Sequence, residues 1–342
     1  MKRPSILIIY TGGTIGMRRD ENGTLVPFDF NTIEQEFPAV RNLNVDIAVQ
    51  KMEAIDSSNV TPERWTLLAR TIAENYAQHD GFVVLHGTDT MSYTASALSF
   101  MLENISKPVI FTGSQIPMGI LRTDGRENLI TAIELAAAKD ERGRAMIPEV
   151  ALYFQNRLFR ANRTSKYSAE ALSAFESRNL EPLAEVGVNI RYNHSIINHS
   201  APHFEPLRIS ERLDSGVIII KLFPGISCHS LRAMLSIEGL HGVVLETYGT
   251  GNAPTAEWFI ESLKEAIDRG VAVVNITQCQ GGTVAMELYE TGRRLREIGV
   301  ISGYDMTTEA AVTKLMWLLG QGVKGKSLVE AMSNSLRGEM TN

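Results

Sequence analysis

Gly81-Phe-Val-Val-Leu-His-Gly-Thr-Asp-Thr-Met91 is the stretch that decides how the chain is read. Phe82 to Leu85 is a short, unbroken apolar run, which predicts a strand buried on both faces of a parallel sheet. His86-Gly87-Thr88-Asp89-Thr90 is then a small polar turn. Beyond it Tyr93, Ala97, Phe100 and Met101 fall at helical spacing, which predicts a helix over Ser92 to Asn104. The turn therefore lies between the carboxyl end of a strand and the start of a helix, where open α/β sheets place their ligands. Thr88, Asp89 and Thr90 set a hydroxyl, a carboxylate and a second hydroxyl at that point.

The same design stands at the start of the chain. Ser5 to Tyr10 is a β-rich apolar run, followed by Thr11-Gly12-Gly13-Thr14-Ile15-Gly16. The glycines allow a sharp turn and close approach to a ligand. If the two strands are neighbours, Thr14 and Thr88 face each other across one crevice.

Working outward, strand and loop alternate with helix. Asn44 to Val49 reads as a strand. Asp56-Ser57-Ser58 then precedes Thr61-Pro62-Glu63, a helix start with proline at its first position. Lys107 to Phe111 leads into Thr112-Gly113-Ser114-Gln115, Asn128 to Ala138 reads as a helix, and Val150 to Phe154 as a strand before the cationic loop Asn156 to Lys166. Residues 17–40 read as a flap or surface hairpin beside the first glycine loop.

Near residues 191–212 the pattern lapses, and Val217 to Leu222, Gly242 to Glu246 and Val271 to Ile276 resume it. A helix from Thr255 to Arg269 ends before Gly270, and three mostly helical stretches close the chain. The expected fold class is α/β in two domains. A larger N-terminal, doubly wound, mostly parallel sheet covers 1–191. A linker covers 192–212, and a smaller C-terminal Rossmann-like α/β domain covers 213–342.

Composition bounds the function. The chain has 342 residues, 44% of them hydrophobic and 21% charged, which suits a globular protein of two domains. A formal charge of −6 argues against nucleic acid as a partner, since phosphate backbones demand a basic surface. No apolar run approaches the roughly 18 residues that would span a bilayer, so no membrane partner is expected. The apolar run after Met1-Lys2-Arg3-Pro4 is too short for a signal peptide. With only Cys228 and Cys279, the expectation is a cytoplasmic protein with reduced thiols. His194, His199 and His203 match no standard ligand spacing, and no metal is expected.

The chemistry left open is narrow. There is no Gly-x-Ser-x-Gly elbow, no P-loop and no Gly-x-Gly-x-x-Gly fingerprint. Threonine, lysine and aspartate remain. Threonine becomes a covalent nucleophile when a base takes its proton. Lysine can be that base when desolvated, with a carboxylate to orient it. Thr14, Thr88, Asp89 and Lys166 supply those parts.

Five motifs, spread in order over nearly the whole chain, resemble the bacterial-type L-asparaginases, specifically the cytoplasmic type I enzymes. They are Tyr10-Thr-Gly-Gly-Thr-Ile-Gly16, His86-Gly-Thr-Asp-Thr-Met91 with Tyr93-Thr-Ala-Ser96, Thr112-Gly-Ser-Gln115, Asn162-Arg-Thr-Ser-Lys166 and Tyr248-Gly-Thr-Gly-Asn252. The resemblance implies hydrolysis of L-asparagine to L-aspartate and ammonia without metal or cofactor. By matching position it makes Thr14 the nucleophile that forms a β-aspartyl ester. Thr88, Asp89 and Lys166 become the proton-handling group, and Asp89 also holds the substrate's α-ammonium. It assigns Asp56, Ser57 and Ser58 to the α-amino and α-carboxylate groups, and backbone N–H groups near Thr88 to the oxyanion. It also implies a homodimer or homotetramer with sites near the subunit interface, in which Asn252 reaches a neighbour's site. Some type I enzymes respond to asparagine at a separate effector site. One departure stands out: the family's flap brings a tyrosine to the nucleophile, and no tyrosine occurs here between Tyr10 and Tyr76.

Two other readings fit less well. An ammonia-producing subunit of a tRNA-dependent amidotransferase carries an extra N-terminal domain, for which a first strand at Ser5 leaves no room. A catalytically silent amino-acid sensor needs the carboxylate but not Thr14, Thr88 and Lys166 together.

Overall fold

The structure is a computed structural model and describes residues 3–19, 25–27, 42–198 and 205–341, with the backbone alone at 18–19 and 25–27. The chain divides into two compact units, Met1–Ile209 and Ser210–Asn342.

In the first unit, eight strands form one sheet: β1 (Ser5–Gly12), β2 (Asp46–Ile55), β3 (Gly81–Leu85), β4 (Val109–Thr112), β5 (Val150–Phe154), β6 (Arg157–Arg160), β7 (Ala184–Val186) and β8 (Ile190–Tyr192). Their order is β8-β7-β6-β5-β4-β3-β1-β2. The first five are parallel to their neighbours, and β6, β7 and β8 continue antiparallel. Reading the parallel part from its edge gives β2-β1-β3-β4-β5. The chain leaves β1 in one direction for β2 and returns on the other side as β3, so a topological switch point lies between β1 and β3. Ligand crevices in doubly wound sheets sit outside the strand carboxyl ends at such a point.

Burial explains which segments are legible in the sequence. Every residue of β3 is buried, as are Ile6, Leu7, Ile8 and Ile9 of β1 and all of β4. Full burial of such side chains stabilises by about 1.5–3 kcal/mol each, which fixes these strands at the centre of the sheet. β2 starts two residues later than Asn44 and runs on to Ile55, with Lys51 and Glu53 exposed. It is an edge strand, where polar side chains are tolerated, so the end of the apolar run does not mark the end of the strand.

Three helices cover the sheet: α1 (Pro62–Asn75), α2 (Met91–Met101) and α3 (Gly125–Ala137). α2 stops short of the predicted Asn104 because Leu102–Glu103 pair antiparallel with Arg208–Ile209. α3 begins three residues before Asn128. The Thr123 hydroxyl accepts the Gly125 N–H at 3.0 Å and secures the earlier start.

Of the segment read as a flap or hairpin, Met17–Arg19 and Leu25–Pro27 pair antiparallel, and 20–24 and 28–41 lie outside the described residues. Of the segment read as a linker, 193–198 stay packed on the first unit. Ile197 belongs to its core, and the Asn198 N–H donates to Glu149 Oε1 at 3.0 Å. Residues 199–204, with His199 and His203, lie outside the described residues. His194 stands beside the Tyr192 ring.

The second unit is a four-stranded parallel sheet in the order β9 (Val217–Lys221), β10 (Gly242–Thr247), β11 (Ala272–Thr277), β12 (Ile301–Ser302). Helices α4 (Cys228–Leu235), α5 (Glu257–Asp268), α6 (Glu290–Glu297), α7 (Thr308–Gly320) and α8 (Gly325–Ser333) connect and cover it. Gly270, with φ 96°, follows α5 as expected of a helix stop. The two-residue β12 is too short for any periodicity to reveal. The observed class is the expected one, a larger mostly parallel sheet domain followed by a smaller parallel one.

Candidate active site

Two loops meet where the sheet reverses. The β1 loop turns at Gly12 and Gly13, both with positive φ (122° and 89°). A Cβ on Gly13 would lie 2.4 Å from Gly87 Cα, so only glycine lets the two backbones touch. This places the Thr14 loop against the Gly87-Thr88 loop, as their strand order requires. Thr14 opens a single 3₁₀ turn, Thr14–Gly16, closed by the Gly16 N–H on the Gly13 carbonyl at 3.1 Å.

The β3 loop carries Thr88 and Asp89, and Lys166 reaches them from a short strand, Ser165–Lys166, that follows β6. Lys166 Nζ donates to Thr88 Oγ1 at 2.8 Å and to Asp89 Oδ1 at 2.7 Å. The ammonium is largely enclosed, with 16% of the side chain accessible, whereas the Asp89 side chain is 65% accessible. An ion pair with one partner in solvent is worth only about 0–1 kcal/mol. Its importance is therefore positional: it aims Lys166 at the threonine hydroxyl and leaves a carboxylate open to the crevice.

Thr88 Oγ1 donates in turn to Gln115 Oε1 at 3.0 Å. Gln115 Nε2 donates to the carbonyls of Ala169 and Ala171, which fixes which end of the amide faces Thr88. Gln115 stands at the β4 strand end, the position next door to Thr88. The sequence singles out its loop but gives no role for its side chain. The available signal is positional: adjacent parallel strands deliver their loops side by side. The loop is held by Asp124, whose carboxylate accepts the Gln115 and Ile116 N–H groups at 3.0 Å each.

The Asp56-Ser57-Ser58 loop flanks the other side of Gly87. Ser57 is buried, and a Cβ on Gly87 would come 2.5 Å from its Oγ. The Ser57 carbonyl accepts the Thr90 hydroxyl at 2.7 Å, so this loop buttresses the β3 loop directly. Asp56 Oδ1 accepts the Ser58 N–H at 2.9 Å and the Ser58 hydroxyl at 2.8 Å. Those two donors hold the Asp56 carboxyl below the usual range, the backbone N–H foremost. Asn252 belongs to the second unit. There the Tyr248 N–H meets its carbonyl at 2.9 Å, and its Oδ1 accepts the Thr291 hydroxyl at 2.9 Å.

Behind the β3 loop lies a group to which the sequence assigns no role. His86 is buried, and burial pushes its imidazole down to about 4. It bonds the Gly87 carbonyl through Nδ1 at 2.7 Å and Thr94 Oγ1 through Nε2 at 3.0 Å. Stability should follow. An unfolded histidine titrates near 6.5, so as pH falls from about 6.5 to 4 the unfolded chain takes up a proton that the folded one refuses. Over that window His86 is expected to remove about 3 kcal/mol of stability. Urea unfolding at pH 7 and pH 4 checks this: His86→Asn should lose that share of the pH slope, and equal slopes would contradict it.

Among the described residues no cluster of histidine, cysteine, aspartate and glutamate could hold a metal ion, and no helix is long and apolar enough to cross a membrane. The arrangement instead offers hydroxyls, an amine and a carboxylate on adjoining loops at the β1 and β3 strand ends, which suits acyl transfer.

Known proteins share both halves of this architecture. Residues 5–198 match the family model described as asparaginase, N-terminal, and residues 216–332 match the glutaminase/asparaginase C-terminal domain. The chain is 45% identical over 349 residues to L-asparaginase 1 of Escherichia coli K12, covering 100% of this chain and 99% of that protein. The crystal structure of L-asparaginase I from Vibrio cholerae superposes with a TM-score of 0.90 at 43% identity, over 100% of both chains. The thermostable L-asparaginase from Thermococcus kodakarensis superposes with a TM-score of 0.89 at 34% identity, over 99% of both chains.

Proposed function

The chain belongs to the asparaginase family, and we propose that it hydrolyses L-asparagine to L-aspartate and ammonia in the crevice between the Thr14 and Thr88 loops. The observation that carries the reading is Lys166 joined to both Thr88 and Asp89 at the sheet's switch point. It occurs in a chain 45% identical to an asparaginase over its full length.

Thr14 Oγ attacks the side-chain amide carbon of asparagine. Its proton leaves through Thr88 and Lys166 and ends on the departing nitrogen, so ammonia is released and a β-aspartyl ester remains on Thr14. Water then attacks the ester carbon, gives a proton back to Thr14 Oγ, and frees aspartate. The Thr88 N–H serves the tetrahedral oxyanion. The accessible Asp89 carboxylate takes the substrate's α-ammonium, with Asp56, Ser57 and Ser58 beside it for the α-carboxylate and α-amino groups. No cofactor enters these steps.

Glutamine is longer by one methylene, a difference that pockets discriminate by only about 1–3 kcal/mol. A minor glutaminase activity is expected, lower in kcat/KM by about 10–200-fold. We place the protein in the cytoplasm, on its two free cysteines, and as a homodimer or homotetramer in which the Tyr248–Asn252 turn serves a neighbour's site. Sedimentation of the purified protein checks the assembly.

Ammonia release across a range of L-asparagine concentrations, with L-glutamine in parallel, tests the reaction. Release from asparagine supports it, and a sigmoidal curve adds a second asparagine site or coupled subunits. Silence toward both, with asparagine still raising the melting temperature, would overturn the enzyme in favour of a sensor.

A further inference from the structure

Three buried side chains form a hydrogen-bonded chain behind the Thr88 loop, and its direction can be deduced. Trp65 Nε1 donates to Thr94 Oγ1 at 3.1 Å. Thr94 Oγ1 lies 3.0 Å from His86 Nε2, and His86 Nδ1 lies 2.7 Å from the Gly87 carbonyl. The indole N–H can only donate and the carbonyl can only accept. His86 Nδ1 must therefore carry a proton. Burial keeps the imidazole neutral, so with Nδ1 protonated Nε2 is bare and accepts the Thr94 hydroxyl proton, and the Thr94 oxygen is left to accept from Trp65. All three side chains are less than 8% exposed.

The last link matters most. The Gly87 carbonyl and the Thr88 N–H belong to one peptide unit, which is trans and planar, so they point in opposite directions. A carbonyl drawn inward onto the imidazole turns the N–H outward. Among the described residues that N–H has no acceptor. Gly13 packs against Gly87 Cα and the preceding His86-Gly87 peptide from the β1 side, and Ser57 packs against Gly87 from the β2 side, so the residue that begins the Gly87-Thr88 peptide is held on both sides.

We propose that His86, fixed as its Nδ1–H tautomer by Trp65 and Thr94, is a positioning residue that orients the Gly87-Thr88 peptide and thereby aims the Thr88 N–H at the reacting oxygen. This rests on the reading above that the Thr88 loop holds the oxyanion. It predicts an asymmetry between two substitutions. In His86→Asn the amide nitrogen falls where Nδ1 stood and can still donate to the Gly87 carbonyl. In His86→Gln the amide reaches instead toward Thr94, and the carbonyl loses its donor.

The test is steady-state asparaginase kinetics on both variants beside wild type, with folding checked by circular dichroism. His86→Gln is expected to lose about 10²–10³-fold in kcat with KM little changed, the cost of one misplaced oxyanion donor. His86→Asn is expected to stay within about tenfold of wild type. Equal losses in the two, no loss in either, or a change confined to KM would overturn the proposal. An inactive wild type would instead sink the underlying reading, so the two failures are distinguishable. Should neither variant fold, ¹⁵N-histidine NMR of the wild type decides. The imidazole that stays neutral down to about pH 4 should carry its proton on Nδ1, and a protonated Nε2 would overturn the assignment.

Discussion

Thr14→Ala is expected to lower kcat for asparagine by at least about 10⁴-fold while leaving the protein folded. Removing an activated nucleophile in a comparable acyl-transfer site costs up to about 10⁶-fold, because no other group can form the covalent intermediate. The alternative role for this hydroxyl would be to cap its own turn, and the geometry speaks against that. The Thr14–Gly16 turn is closed by backbone alone, its N-cap is Gly13, and no side chain caps it. Among the described residues the Thr14 hydroxyl has no hydrogen-bond partner. Alanine therefore removes no bond that holds the loop, and its effect should fall on chemistry. The apparent affinity for asparagine should change little, since Asp89, Ser57 and Ser58 are untouched. Thr14→Ser keeps an attacking oxygen but frees its rotamer, and a loss of about 10–10²-fold is expected from poorer alignment. Single-turnover ammonia release separates the two variants. If Thr14→Ala turns over within about tenfold of wild type, the nucleophile lies elsewhere.

That the site can be read from the sequence at all follows from the sheet. A parallel strand buried on both faces must be an unbroken apolar run, so β1, β3, β4 and β5 announce themselves, and the polar residues just past each are its carboxyl-end loop. Thr14, Thr88 and Gln115 are all such residues. The spacing cannot give the strand order. It is the order β2-β1-β3-β4-β5 that makes Thr14 and Thr88 neighbours and Gln115 the next in line. Lys166 is harder still. It comes from a two-residue strand beyond the antiparallel turn at Gln155 and Asn156, and spacing alone does not show that it meets Thr88. His86 stays hidden for a different reason. A histidine in a polar turn looks like part of the turn, and its bonds to Thr94, eight residues on, and through it to Trp65 exist only after α1 and α2 have packed. Edge strands and cap residues blur the remaining boundaries, because there polarity is permitted and periodicity no longer reports burial.

The largest effect on stability is expected in the second unit. Lys314 lies in the middle of α7 with its side chain wholly inaccessible, and Glu339 is equally buried, 2.6 Å away. Burial pulls the Lys314 ammonium below its ordinary value, and Glu339 opposes the shift. The ammonium's other donors go to the carbonyls of Asn334 at 2.7 Å and Met332 at 3.3 Å. The carboxylate also accepts the N–H groups of Leu336 and Arg337. The pair thus ties the end of α8 and the tail beyond it to α7, and Asp305 adds a second tie through the Thr341 N–H and hydroxyl. Replacing such a pair with apolar groups can cost little, whereas removing one partner strands a charge in the interior. Glu339→Leu is therefore expected to destabilise the second unit by about 3–5 kcal/mol, and Lys314→Met by a similar amount. Lys314→Met with Glu339→Leu should cost clearly less than the two added together, since neither charge is then left alone. Urea unfolding followed by tryptophan fluorescence, where Trp258 and Trp317 report on this unit, gives the three differences. Strict additivity would mean that the two groups do not depend on each other. A loss below about 1 kcal/mol in Glu339→Leu would mean that water reaches the ammonium once the tail is cut loose.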